Sequence, residues 1–284
     1  MDKIRETERA ATGGKGMSKN GAINGTILQF DGVSKSFGGL QAINHLSFDA
    51  RKGEILGLIG PNGAGKTTIF NLITGVYHPD HGKIRFQSDD ITGWQPHRVV
   101  NAGIARTFQI PRPFHHKTIT KNVEIALIPN EILAHGLSKR ERDDTVALLC
   151  AKVCVCKIFG TEGCHLIEDG FCDCMFEFPS ALPHAALRNL EIAKAMATKP
   201  NLLLLDEPFA GLTIAEVDDM SALLRTMKEE GRTQIVVDHN MRGLMRLVDR
   251  VIVINFGQKL AEGTPEEIAK NPAVQEAYLS GSSH

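Results

Sequence analysis

The sequence predicts an α/β fold in which a mainly parallel sheet is covered by helices on both faces. Two observations carry that expectation. From Ile27 onward, β-branched and leucine-rich runs alternate with helical patterns, and such alternation generates parallel strands joined by crossover helices. Ahead of the first helix, the strand-like runs ILQFDGVSKSF and AINHLSFDA predict an N-terminal antiparallel β-subdomain beside the main sheet. No internal repeat is evident.

The elements follow in order. Residues 1–26 are polar, of mixed charge and glycine-rich, without the apolar core of a signal peptide, and are expected to form a disordered leader with Met17 as an alternative start. After the two N-terminal strands, the turn RKG leads into EILGLIG, a buried strand, and KTTIFNLITG, a helix. KIRFQ is expected to be a strand, and so is GIARTFQ, which would close on Gln109. Thr120 to about Leu149 has helical character. After Pro183 a helix carries Leu187, Leu190, Ala193 and Met196 along one face and stops before Lys199-Pro200. NLLLLD (strand), AEVDDMSALLRTMKEEG (helix), TQIVVD (strand), MRGLMRLV (helix) and RVIVINF (strand) complete the series.

A chain of 284 residues suits one large domain with a subdomain, here 27–284 with a helical subdomain over about 110–198. Apolar residues at 42% and charged residues at 23% are ordinary for a globular protein and far from the disordered range. Lys plus Arg (32) nearly cancel Asp plus Glu (33), so there is no global field to attract nucleic acid or anionic lipid, and no nucleic-acid partner is expected. The apolar runs ILGLIG and VIVINF fall well short of the ~18 residues that cross a bilayer. A reducing cytosol is expected, where cysteines stay thiols or bind metal.

GPNGAGKTT, Gly60 to Thr68, satisfies G-x-x-x-x-G-K-[ST] between a strand and a helix. Gly60, Gly63 and Gly65, with Pro61, Asn62 and Ala64 between them, let backbone N–H groups turn inward around phosphates. Lys66 reaches the β/γ oxygens, Thr67 ligates Mg²⁺, and the helix start at Thr67 and Thr68 favours negative charge. An ordinary turn has no need of a lysine and a threonine in register. Asp206 ends a hydrophobic strand, where it would stand beside the metal, while Glu207 points elsewhere and is suited to polarise a water. His239, ending the next strand, would reach a γ-phosphate. His239 and Gln109 carry little weight individually, since isolated residues of these types are mostly structural.

In sequence, phosphate loop, glutamine, acid pair and histidine resemble the ATP-binding-cassette (ABC) ATPases, a P-loop NTPase family, and the resemblance runs from Ile27 to about Gly281. ARTFQIPRPF, LEIAKAMATKPNLLLLDEPFAGL, VVDHNM and GTPEEIAKNPAVQEAYL are similar to the ATP-binding subunits of branched-chain amino-acid type importers. The resemblance implies ATP and Mg²⁺ as cofactors, with Thr67, Gln109 and Asp206 around the metal and Phe37 stacked on adenine. It further implies that Gln109 senses the γ-phosphate and the transmembrane partner, that Glu207 is the general base, and that His239 is the switch histidine. The partners implied are transmembrane permease subunits, a second ABC ATPase subunit in a head-to-tail homo- or heterodimer, and, indirectly, a periplasmic or extracellular solute-binding protein. The chain would lie in the cytoplasm, peripheral on the inner face of the cell membrane. Two other readings stay open: a regulatory subunit with one weakened composite site, and a soluble ABC ATPase outside transport.

Two stretches depart from the family pattern. Where the signature LSGGQ is usual, this chain has Leu182-Pro183-His184-Ala185-Ala186; proline lacks a hydroxyl and an N–H, and Ala185 adds a methyl where close backbone approach is expected. Either an asymmetric heterodimer or a tolerated variant follows. All six cysteines fall in CAKVCVCKIFGTEGCHLIEDGFCDC: Cys150, Cys154, Cys156, Cys164, Cys172 and Cys174, with His165 alongside. A metal site, a disulfide or separate thiols are the alternatives.

Overall fold

The computed structural model describes residues 25–127, 139–152 and 176–280. Residues 1–24 of the expected leader 1–26, His165, and Cys154, Cys156, Cys164, Cys172 and Cys174 lie outside the described residues, whereas Thr26, at the leader's expected end, already opens the first strand, where it pairs with Arg51. Cys150 is described and is buried in an apolar core.

Two sheets organise the described residues. The first is antiparallel, in the order β2 (Leu40–Arg51), β1 (Thr26–Phe37), β4 (His81–Phe86), β5 (Asp89–Asp90). The second has the order β10 (Gln258–Gly263), β9 (Arg250–Asn255), β3 (Ile55–Ile59), β8 (Thr233–Val237), β7 (Leu202–Asp206), β6 (Ile104–Arg106). Its strands are parallel except β10, which returns antiparallel along β9. The helices are α1 (Lys66–Ile73), α2 (Pro96–Asn101), α3 (Ile119–Leu127), α4 (Lys139–Lys152), α5 (His184–Ala197), α6 (Ile214–Glu229), α7 (Met241–Leu247), α8 (Pro265–Ala269) and α9 (Pro272–Ser280).

The central strands are buried on both faces, and the period of two sorts their side chains into two cores. Leu203 and Leu205 of β7 join Val236, Val251 and Val253 against α5, α6 and α7. Leu202 and Leu204 join Ile235, Ile252 and Ile254 on the opposite face, with α1 and the antiparallel sheet. Each buried leucine contributes about 1.5–3 kcal/mol, so a one-residue slip of β7 would exchange both faces and carry Asp206 out of place. The capping box of Thr213 with Glu216 fixes the start of α6, and Thr264 with Glu267 does the same for α8.

Helices α3, α4 and α5 pack through Ile119, Val123, Val146, Cys150 and Leu190. Asn122, fully buried, fastens the preceding loop by accepting from Phe114 N–H and donating to the carbonyls of Phe114, Lys117 and Thr118. Among the described residues no helix is long and apolar enough to cross a membrane.

One expectation needs correction. Gln109 does not close a strand: β6 ends at Arg106, and Gln109 lies three residues beyond, in the loop leading to α3. The ladder continues only through Thr107 N–H, which donates to Leu204 O at 2.9 Å. Pro111 and Pro113 follow, and neither has an N–H to extend the pairing.

Candidate functional site

The strand order β3-β8-β7-β6 brings four carboxyl ends side by side, where open α/β sheets form their ligand crevices. The phosphate loop leaves β3, His239 follows β8, Asp206 ends β7 with Glu207 just beyond it, and Gln109 follows β6. They meet in one cleft of about 690 Å³. Phe37, Asn62, Gly63, Ala64, Gly65, Lys66, Thr67 and Thr68 line it, facing Gln109, Asp206, Glu207 and His239. Gly60 and Pro61 stand behind this wall; their carbonyls accept from Lys66 Nζ at 2.6 and 2.9 Å.

The loop takes its shape from close packing. A Cβ on Gly60 would sit 2.0 Å from Ile254 O, and Gly65, which caps α1, has φ +106°, a conformation that L side chains rarely adopt. The first intrahelical bond of α1 runs from Ile69 N–H to Gly65 O, so the N–H groups of Lys66, Thr67 and Thr68 have no acceptor within the helix. With the positive end of the helix dipole they favour an anion. Burial pushes the Lys66 ammonium below its ordinary pKa, opposed by the charges of Glu207 and Asp206.

Glu207 is held from both sides. Gln109 Nε2 donates to its Oε2 at 2.8 Å, and His239 Nε2 lies 3.2 Å from its Oε1. Its backbone is left-handed, φ +52°, and its N–H donates to Val237 O at 2.7 Å, so β8 fixes the bend that separates Glu207 from Asp206.

Several residues of the site have no local signature in the sequence. Arg106, from β6, places Nη2 2.8 Å from Asp206 Oδ2, and its Nη1 donates to Asn71 Oδ1 of α1 at 2.6 Å. Asp238 accepts from Phe209 N–H at 2.8 Å and Asn240 N–H at 2.7 Å, tying the turn after Glu207 to the turn carrying His239; burial raises its pKa against those two bonds. The hydroxyl of Tyr278, on α9, is bonded to the Gly60 backbone; burial raises its pKa, and that bond opposes the rise. Leu40, Gln41, Ala42 and Phe256 also line the cleft. Only a pattern combining distant strands would have found these residues.

The segment 182–186 does not line this cleft. Pro183 stands at the N-cap of α5 without a side-chain cap bond, and Ala185 and Ala186 are buried within the chain. His184 lies beside Gly211, where an added Cβ would stand 3.1 Å from its Cε1.

Residues 43–210 match the model of the ABC transporter family, and residues 258–279 match that of the branched-chain amino acid ATP-binding cassette transporter. The chain is 37% identical over 261 residues to the high-affinity branched-chain amino acid transport ATP-binding protein BraF of Pseudomonas aeruginosa, covering 89% of this chain and 97% of that protein. It is 36% identical over 254 residues to the corresponding protein LivG of Escherichia coli, with the same coverage of 89% and 97%. Among solved structures, the ADP conformation of MJ1267, an ATP-binding cassette of an ABC transporter, superimposes with a TM-score of 0.74 at 26% identity, covering 89% of this chain and 98% of that one. A nucleotide-free ATP-binding cassette gives a TM-score of 0.73 at 26% identity, over 89% and 98% of the two chains.

Proposed function

This chain belongs to the ABC transporter family of ATP-binding cassettes, and from that premise we propose that it is the ATP-hydrolysing subunit of an importer for branched-chain or similar amino acids. The carrying observation is the convergence of the phosphate loop, Gln109, the Asp206-Glu207 pair and His239 on one cleft. ATP would place its phosphates on the N–H groups at the start of α1, with Lys66 exchanging the carbonyls of Gly60 and Pro61 for phosphate oxygens. Phe37, braced edge-on by Tyr77 with ring centroids 4.9 Å apart, offers its face to adenine. Thr67, Asp206 and Gln109, which line the cleft, would supply hard oxygen donors to Mg²⁺, and the metal would neutralise phosphate charge.

In this reading Glu207 polarises the attacking water, supported by the contacts of Gln109 and His239 with its two carboxylate oxygens. Because Gln109 sits on the loop between β6 and α3, a movement of that loop changes what Glu207 is bonded to. This is the route by which ATP binding and hydrolysis would reach permease subunits, with the chain on the cytoplasmic face of the membrane. A second cassette subunit completes the machine. In a head-to-tail pair the segment 182–186 would serve the partner's nucleotide, and the altered residues there favour a heterodimer whose other member carries an intact signature. Ordinary ATPase rates from purified homodimers would reject that arrangement.

The central test compares ATP turnover and amino-acid uptake of the assembled transporter carrying wild type or Glu207→Gln. Loss of a general base lowers turnover by about 10²–10⁴-fold while ATP binding persists. Equal turnover refutes the base, and absence of ATP binding to the wild type refutes the whole reading.

A further inference from the structure

Phe256 is at odds with its position. It occupies the turn between β9 and β10, is 84% exposed, and has φ +46°. Exposure of phenylalanine is unfavourable, and a left-handed backbone is strained for a bulky side chain, so folding alone selects against this residue here. The turn is nevertheless held firmly. Gly257 N–H donates to Ala64 O of the phosphate loop at 3.0 Å, and Gly257 O accepts from Asn44 N–H of β2 at 3.0 Å. A Cβ on Gly257 would stand 2.5 Å from Ala42 O, so the backbone is pressed against β2 as well.

The cleft wall therefore includes two aromatic side chains on separate elements, Phe37 at the end of β1 and Phe256 beyond β9, with the phosphate-binding N–H groups between β3 and α1. A ligand with several phosphates and a flat π-system matches both features. We propose that Phe256 is a second aromatic contact for the nucleoside of the nucleotide held by the phosphate loop. The proposal rests on the nucleotide reading above and assigns to Phe256 a share in distinguishing a nucleotide from a bare polyphosphate. Stacking is tolerant of base identity, so the contact would serve adenine and guanine nucleotides alike.

The experiment titrates full-length wild type, Phe256→Asn and Phe256→Tyr with ADP and with inorganic pyrophosphate by calorimetry. Asparagine accepts the left-handed conformation, so the variant keeps the turn. The expected result is a Kd for ADP raised on the order of tenfold in Phe256→Asn, near wild type in Phe256→Tyr, and a pyrophosphate Kd unchanged in both. The thermal midpoint of nucleotide-free Phe256→Asn holds or rises, because strain and exposed apolar surface are both removed. In turnover, KM for ATP rises with kcat unchanged, since a contact remote from the reacting phosphate is made equally in ground and transition states. Equal ADP affinity in wild type and Phe256→Asn overturns the proposal, as does an equal loss of ADP and pyrophosphate. A wild type that binds neither ligand overturns the nucleotide reading itself, and this inference with it.

Discussion

Replacing Arg106 with methionine isolates the ion pair that positions Asp206. The guanidinium and the carboxylate are 2.8 Å apart, with side chains 8% and 10% exposed, and the guanidinium also lies 5.4 Å from the centre of the Phe70 ring. Methionine preserves much of the apolar contact and removes the charge, leaving Asp206 buried without its cation and Asn71 Oδ1 without its donor. Breaking one side of such a pair costs about 3–5 kcal/mol. The lower end applies, because the Lys66 ammonium is close enough to interact with Asp206. A loss of about 3 kcal/mol corresponds to a fall in Tm of roughly 6–12 °C for a domain of this size. Thermal unfolding without nucleotide reads this directly, and a double-mutant cycle with Asp206→Asn should give a coupling of about 2–3 kcal/mol. Under the metal role proposed for Asp206, MgATP should then stabilise Arg106→Met more than wild type, because the carboxylate would be free to face the cation. A Tm within about 1 °C of wild type, or a coupling below about 0.5 kcal/mol, would refute the reasoning.

Two further outcomes follow from buried groups on opposite sides of the sheet. The pKa of Tyr278 is raised from 10.0 to about 12, so the stabilisation tied to its protonated form is complete below pH 10 and lost as the pH climbs through 12. Tyr278→Phe should abolish that alkaline loss, along with the late tyrosinate absorbance; an unchanged profile would clear Tyr278 of any part in it. Arg250 donates to Glu54 at 2.7 Å and to Glu262, and although burial opposes its charge, those bonds raise its pKa above the ordinary value. Arg250→Met should lower stability by about 3–5 kcal/mol by stranding Glu54, yet leave ATP affinity intact, because the pair lies at the end of β3 and β9 away from the cleft. A parallel loss of affinity would contradict that separation.

Sequence and structure agree most closely where information is local. GPNGAGKTT announces its chemistry locally, since the glycines, the lysine and the helix start are adjacent in the chain, although Ile254 and Gly257 press on the loop from far along it. The leucines before Asp206 likewise announce a buried strand by hydrophobicity alone. β6 ends earlier than the sequence suggests, because Thr107 and Phe108 have strand propensity while pairing stops with Thr107, and propensity does not register where a hydrogen-bond ladder ends.

What the sequence determined by itself is the chemistry available: a phosphate-binding loop, an acid pair, a glutamine and a histidine, each beside a strand end. Which of them meet was decided only by the order β3-β8-β7-β6. That order depends on crossover connections and on two cores being filled together, so residues separated by 98 positions, such as Gln109 and Glu207, become hydrogen-bonded neighbours. The same closure placed Arg106 against Asp206, Tyr278 against Gly60 and Phe256 at the cleft. Their side-chain chemistry is ordinary, and their roles arise from proximity that no local pattern encodes.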